Sequence, residues 1–359
     1  MKLALVIYGS LETVSGGYLY DRKLVEYLRA QGDSVEIISL PWQNYARHLL
    51  HGWDAHLAAR LHRLDVELIL QDELNHPSLF RLNRSLQPPL VSIVHHLRSS
   101  EQHVRLWMPL YRWVERQYLN SVQAYIFNSE TTRAVVQGLV GGGRPFVVAT
   151  PAGDQFGGGL PSAVIAARCA QPGPLRLLFV GNLIPRKGLH TLLTALSMLP
   201  RQDWTLKIVG NLQVDGRYTA ALRRQVAREG MEAQVTFCGS LPSEELAALW
   251  REQQVLVSPS QYEGFGIVYL EGMGFGLPAI GSTDGAAGEI IRDAVDGYLV
   301  PPGDAGLLAA RLAVLCADRA RLRAMSLAAR RRFDDFDGWA ASAARIRAFL
   351  VGLAAHAGG

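Results

Sequence analysis

Short apolar runs alternate with amphipathic stretches along the whole chain, the pattern of parallel strands covered by helices on both faces. In the first half the spacing predicts strands over Leu3–Ile7, Val35–Ser39, Leu68–Leu70, Leu90–Val94, Ala124–Phe127 and Phe146–Ala149. Helices are expected to start near Gly17, Tyr45, Pro77, Glu101 and Glu130. From Asp154 to Pro174 the composition shifts to Gly, Pro and Ala, which suits a hinge or linker rather than the interior of an element. The alternation then restarts, with strands at Arg176–Val180, Thr205–Val209, Gln234–Phe237, Val255–Val257, Ala279–Ile280 and Tyr298–Val300. Helical periodicity runs from Ala305 to Arg332 and resumes from Trp339 to Leu353. The prediction is an α/β chain of two doubly wound parallel-sheet domains, 1–160 and 161–337, with the segment 338–359 packing back on the first. Such sheets bind ligands at their carboxyl ends, and two of them are expected to face a common cleft.

Composition narrows the class. The length of 359 residues fits two domains, and 49% hydrophobic with 19% charged residues excludes a disordered chain. The net charge of +4 gives no field for holding nucleic acid. Cys169, Cys238 and Cys316 match neither a disulfide framework nor a metal-ligand spacing, which suits a reducing compartment. The opening MKLALVIYGSLE reads as a buried strand rather than a signal peptide, and no apolar run is long enough to span a bilayer. The expected location is cytoplasmic, free or peripheral on the inner face of the membrane.

Four stretches carry chemistry. In SPSQYEGFGIVYLEGMGFGLP, Ser258 to Pro278, Glu263 and Glu271 stand eight positions apart, so on one helix both carboxylates would face roughly the same side. Gly264 and Gly266 between them let a backbone approach a ligand, and the start of a helix favours an anion. In FVGNLIPRKGLHTLLTAL, Phe179 to Leu196, a buried strand runs through Gly181 into a loop bearing Arg186 and Lys187, two cations that suit a diphosphate. In SGGYLYDRKLVEYL, Gly16 and Gly17 precede the first helix and offer backbone N–H groups to the same phosphates. In VSIVHHLRSSE, His95 and His96 end a strand and Arg98 follows.

Together these motifs, with TPAGD at Thr150–Asp154 and TDGAAGEII at Thr283–Ile291, resemble the retaining glycosyltransferases of family 4 over nearly the whole chain. The resemblance implies the GT-B fold of two facing Rossmann-like domains and a nucleotide diphosphate sugar as donor, a UDP-sugar first and a GDP-sugar next. It implies that Glu263 contacts the donor sugar, that Gly264, Phe265 and Gly266 line the sugar and phosphate site, and that Glu271 holds the ribose hydroxyls. Arg186 and Lys187 would neutralise the diphosphate beside Gly181, Gly16 and Gly17 would cap it, and His95 would lie near the sugar. The catalytic set is thus His95, Arg186, Lys187 and Glu263, with no metal or other cofactor. His96 and Arg98 are assigned to the acceptor side. Two departures from the family, His96 in place of an acid and Ala152 in place of Asn, fall on that side.

The acceptor is a hydroxyl compound, a small molecule or a glycan, lipid-linked or of the cell envelope. Aromatic and basic residues interleave over Pro41–Arg63 and Arg105–Arg116, and two readings stay open: an interfacial helix on anionic lipid, or helices packed on the N-terminal sheet. FDDFD, Phe333–Asp337, has the spacing of a metal-binding acid pair but reads as an interhelical turn. Two further classes remain beside transfer: another GT-B enzyme such as a sugar nucleotide epimerase or a phosphorylase, and a non-catalytic nucleotide-sugar-binding protein.

Overall fold

The computed structural model describes residues 1–101, 105–157 and 159–357. The chain forms two compact units, Met1–Pro151 with Asp337–Gly359, and Ala152–Phe336. The first unit thus ends at Pro151, short of residue 160.

Six strands build the first unit: β1 (Lys2–Tyr8), β2 (Ser34–Leu40), β3 (Leu68–Asp72), β4 (Leu90–Val94), β5 (Ala124–Phe127) and β6 (Phe146–Val148). They form one parallel sheet in the order β2-β1-β3-β4-β5-β6. Every residue of β3, β4 and β5 themselves is buried, as expected where helices cover both faces of a parallel sheet. The helix Gly16–Ala30 is N-capped by Ser15 and packs against the C-terminal helix Trp339–Ala357, whose Arg347 donates to Asp33 at 2.7 Å.

The second unit repeats the plan with β7 (Leu175–Val180), β8 (Trp204–Val209), β9 (Val235–Gly239), β10 (Val255–Val257), β11 (Ala279–Ser282) and β12 (Gly297–Val300). All pairings are parallel, in the order β12-β11-β10-β7-β8-β9. Each strand position expected from the apolar runs holds a strand. The order reverses between β1 and β3 in one sheet and between β7 and β10 in the other, the point at which doubly wound sheets open a crevice.

The helices depart from expectation in three places. The stretch read as a linker contains the helix Ser162–Ala170, which buries Ile165, Arg168 and Cys169. Its apolar period is short and hidden between glycines and prolines. The period from Ala305 to Arg332 is two helices, Ala305–Ala317 and Arg319–Asp334, broken where the Asp318 carboxylate accepts the Arg321 N–H. The helix placed near Glu101 begins at Met108, and residues 102–104 lie outside the described residues. FDDFD ends one helix and leads into the turn before the next, with Asp335 near Arg332 and Asp337 paired with Arg345.

Arg168 explains why the overlooked helix matters. Its guanidinium is buried and donates to the carbonyls of Trp250, Arg251, Phe275 and Gly276 at 2.8 to 3.3 Å. Those carbonyls end the helices Ser243–Glu252 and Ile267–Gly274, so one cation caps the negative poles of both. Arg168→Met keeps the aliphatic stem and strands the four acceptors. It is expected to lower unfolding stability by about 3 kcal/mol, read from denaturant titration, whereas a change at the exposed Arg323, Arg323→Met, should stay within about 1 kcal/mol.

Candidate active site

In the second unit the crevice between β7 and β10 is walled by the loops that leave those two strands. One carries Gly181 and the turn Pro185–Lys187, and the other carries Ser258, Ser260 and Glu263. The loops are laced together. Gln261 N–H donates to the Arg186 carbonyl at 2.7 Å, and Arg186 Nη1 donates to the Tyr262 carbonyl at 3.0 Å. Gly188, at φ +69°, lies so near Pro259 that a Cβ would stand 2.0 Å from its carbonyl oxygen.

This lacing sets an ion pair. Lys187 Nζ donates to Glu263 Oε1 at 2.5 Å, and Ser260 Oγ donates to the same oxygen at 2.6 Å. The Lys187 stem runs past Gly181, where a Cβ would stand 3.8 Å away. Burial alone would raise the Glu263 carboxyl pKa, but Lys187, Arg186 and the two hydrogen bonds outweigh it and hold the value below the usual range. Glu263 is therefore a carboxylate at neutral pH.

The two signature glutamates do not share a helix, which corrects the reading from their spacing. Glu263 sits in the loop, bridged to Gly285, with its carbonyl taking the Ala286 N–H at 2.8 Å. Gly266, at φ +99°, turns the chain into the helix Ile267–Gly274 that carries Glu271. Gly264 is buried between them. The Phe265 ring is buried against Phe336, so its backbone is the part left to meet a ligand. Glu271 is buried too and accepts a hydrogen bond from Gln155 Nε2. Burial pushes its pKa up to about 7, opposed by the Gln155 bond. Gly153 allows this approach, since a Cβ there would lie 2.7 Å from the backbone of Leu270.

In the first unit, Gly16 and Gly17 open the helix Gly16–Ala30, whose first N–H groups have no partner within the helix. A Cβ on Gly17 would stand 3.2 Å from the His95 ring. His95 follows β4, and its Nε2 meets Asp21 Oδ1 at 3.1 Å, with the Tyr20 ring edge-on at 5.2 Å. Burial alone would lower the imidazole pKa, but Asp21, Asp72 and Glu73 raise it to about 9. Asp72, at the end of β3, is pushed up by burial and by Asp21. His96 Nε2 meets Glu101 Oε1 at 3.0 Å. The Arg98 guanidinium lies over the Tyr45 and Tyr111 rings at 5.0 and 4.8 Å.

The structure therefore brings together Arg186, Lys187, Glu263 and Gly181 in one unit, and Gly16, Gly17 and His95 in the other. Glu271 stands one helix turn further along, with Gln155. Sequence reasoning missed Asp21, Asp72, Ser260 and Gln155. Asp21 lies four positions after Gly17, on the same helix face, and that period was its signal. Two groups, Asp21 with Asp72 and His95, and Glu73 with His76 and Glu115, each bring three metal-competent atoms within 4.8 Å of one another.

Residues 168–332 match the model of the family described as glycosyl transferases, group 1. This stretch is similar to that family, and over it the resemblance to glycosyltransferases drawn from the motifs is borne out. The chain is 35% identical over 190 residues to a glycogen synthase of Mycobacterium tuberculosis, covering 52% of this chain and 45% of that protein. It spans about half the length of the curated relatives it matches. Among solved structures, sucrose-phosphate synthase from Thermosynechococcus elongatus superposes with a TM-score of 0.84 at 23% identity over 99% of both chains. Anabaena HepE, in complex with UDP and glucose, gives 0.81 at 20% identity over 98% of this chain and 100% of that one. The fold is GT-B.

The His95–Asp21 pair makes a direct test. Its contribution to stability is fully present below about pH 6.5, the ordinary imidazole value, and is lost as pH rises through about 9. Asp21→Asn should lower the His95 titration by about one unit or more, followed through the ring protons by NMR. The stability gap between wild type and variant should close over the same interval.

Proposed function

We propose that this chain is a glycosyltransferase that moves a sugar from a nucleotide diphosphate sugar to a hydroxyl acceptor with retention at the anomeric carbon. The observation that carries the reading is the Lys187–Glu263 pair beside Arg186 at the crevice between β7 and β10. A UDP-sugar is the first candidate donor and a GDP-sugar the second, and the UDP and glucose bound in HepE favour the former. An acceptor carried on a lipid or on a cell-envelope glycan is favoured by the exposed tryptophans and arginines of the first unit.

Arg186 and Lys187 receive the diphosphate, and the positive charge they supply grows in value as the glycosidic bond breaks. Lys187 exchanges part of its contact with Glu263 for a phosphate oxygen. The released Glu263 carboxylate takes a hydroxyl of the sugar and fixes the ring against the leaving group. Glu271 accepts from the ribose hydroxyls, and Gln155 orients it. On the front face, the bond from the anomeric carbon to the phosphate oxygen breaks and the bond to the acceptor oxygen forms. The departing phosphate oxygen takes the acceptor proton. His95 stays protonated up to about pH 9 and stabilises negative charge near the sugar.

Glu263→Ala is expected to lower kcat by about two to three orders of magnitude, since its contact with the sugar tightens as charge develops. Glu271→Ala should mainly raise the donor KM, because ribose binding is alike in ground and transition states. Lys187→Ala should lower kcat. Near-normal kcat in Glu263→Ala would place the chemistry elsewhere.

Metal independence is part of the proposal, because two cationic side chains already serve the diphosphate. A chelator should leave turnover intact. Turnover that vanishes with chelator and returns with manganese would shift the role to a metal, with Asp21, Asp72 and His95 the group to test.

A further inference from the structure

Tryptophan is distributed unevenly between core and surface. Of the seven in the sequence, Trp204, Trp250 and Trp339 are buried, whereas Trp42, Trp53, Trp107 and Trp113 are 62, 61, 51 and 51% exposed. All four exposed rings lie in the first unit, within one stretch of the chain. Large apolar side chains scattered singly need no explanation, but exposed tryptophans confined to residues 42–113, three of them on the face described next, do.

The helix Met108–Leu119 turns Val114, Glu115, Tyr118 and Leu119 inward. Its outer face is Pro109, Arg112, Trp113 and Arg116, continued by the exposed Leu106 and Trp107 in the preceding turn. The one acid of this helix, Glu115, is buried and accepts the Ser99 N–H, so the solvent face carries only tryptophan, leucine, proline and arginine as notable side chains. A second segment, the helix Tyr45–Leu50 and the turn His51–Trp53, exposes Arg47, Leu50 and Trp53. Arg81 joins the two. Its guanidinium lies 4.0 Å over Trp53 and 5.6 Å over Phe80, whose ring meets Trp113 edge-on at 6.0 Å.

We propose that this continuous face of the first unit docks on the surface of an anionic lipid bilayer. Trp53, Trp107 and Trp113 enter the boundary between headgroups and acyl chains, where indole rings are favoured for their apolar body and polar N–H. Arg47, Arg112 and Arg116 pair with lipid phosphates. The charge decides the occupant: a second copy of the chain would present the same arginines and be repelled, whereas an anionic bilayer complements them. No helix among the described residues is long and apolar enough to cross a membrane, so the contact is made from one side.

The test uses the full chain with vesicles of phosphatidylcholine alone or mixed with phosphatidylglycerol. The protein should co-sediment with the mixed vesicles, release as salt is raised, and lose tryptophan fluorescence when the lipids carry bromine on their acyl chains. The double change Trp107→Ser and Trp113→Ser should weaken vesicle affinity by about tenfold and remove most of the bromine quenching. Arg112→Gln with Arg116→Gln should erase the preference for phosphatidylglycerol. Far-UV circular dichroism and donor binding should match wild type in both, since none of these residues belongs to the crevice between β7 and β10. Vesicle binding is read without turnover, so the result stands apart from that of the transfer assay. Equal recovery in the supernatant with and without phosphatidylglycerol would overturn the proposal. So would a wild-type dimer that the tryptophan double variant converts to a monomer, which would make the face a protein interface.

Discussion

Glu263 is buried where a carboxyl group would ordinarily keep its proton, and it is charged because Lys187 is 2.5 Å away. The pair is the constraint from which the second unit's site follows. Holding a cation and an anion together out of water is costly unless further hydrogen bonds satisfy both, and here Ser260 supplies one and the laced backbone fixes the rest. A pair set so firmly leaves a concentrated cation at the end of β7 and a preoriented anion at the end of β10. Such a pair is chemically complementary to a ligand with an anionic end and a hydroxyl-rich end.

The first unit applies the same physics with a different group. His95 would be neutral in its buried position, yet Asp21 and the neighbouring Asp72 keep it charged to about pH 9. Each unit thus holds a charge, sustained by an opposite one, at the carboxyl end of its parallel sheet: Lys187 with Glu263 after β7 and β10, and His95, after β4, with Asp21. The topology brings loop ends together there, and it does so whatever the loops contain. Function is therefore argued from Lys187 and Glu263 in one unit and from His95 and Asp21 in the other, and from the fold only in that each sheet brings its own pair together.

The strands were legible because a strand buried on both faces must be an apolar run, and each run expected from the pattern is a strand. The Glu263 and Glu271 motif was legible as a unit, yet the helix drawn through both was not there, because Gly266 at φ +99° starts the helix after Glu263. The helix Ser162–Ala170 was hidden by its Gly and Pro flanks, and with it the buried role of Arg168. Partners far apart in sequence were out of reach. Asp21 meets His95, and Gln155 meets Glu271, only after the chain has folded, and no local pattern records such a pairing.

In the function proposed above, the loops after β7 and β10 recognise a nucleoside diphosphate through its outer phosphate. Isothermal titration of UDP, GDP and ADP, each against its own monophosphate, reads this most directly. At least one diphosphate should bind, and its monophosphate should bind about tenfold or more weakly, since loss of the outer phosphate removes a charged contact to Lys187 or Arg186. Binding of none of the three, or a monophosphate as tight as its diphosphate, would contradict the account.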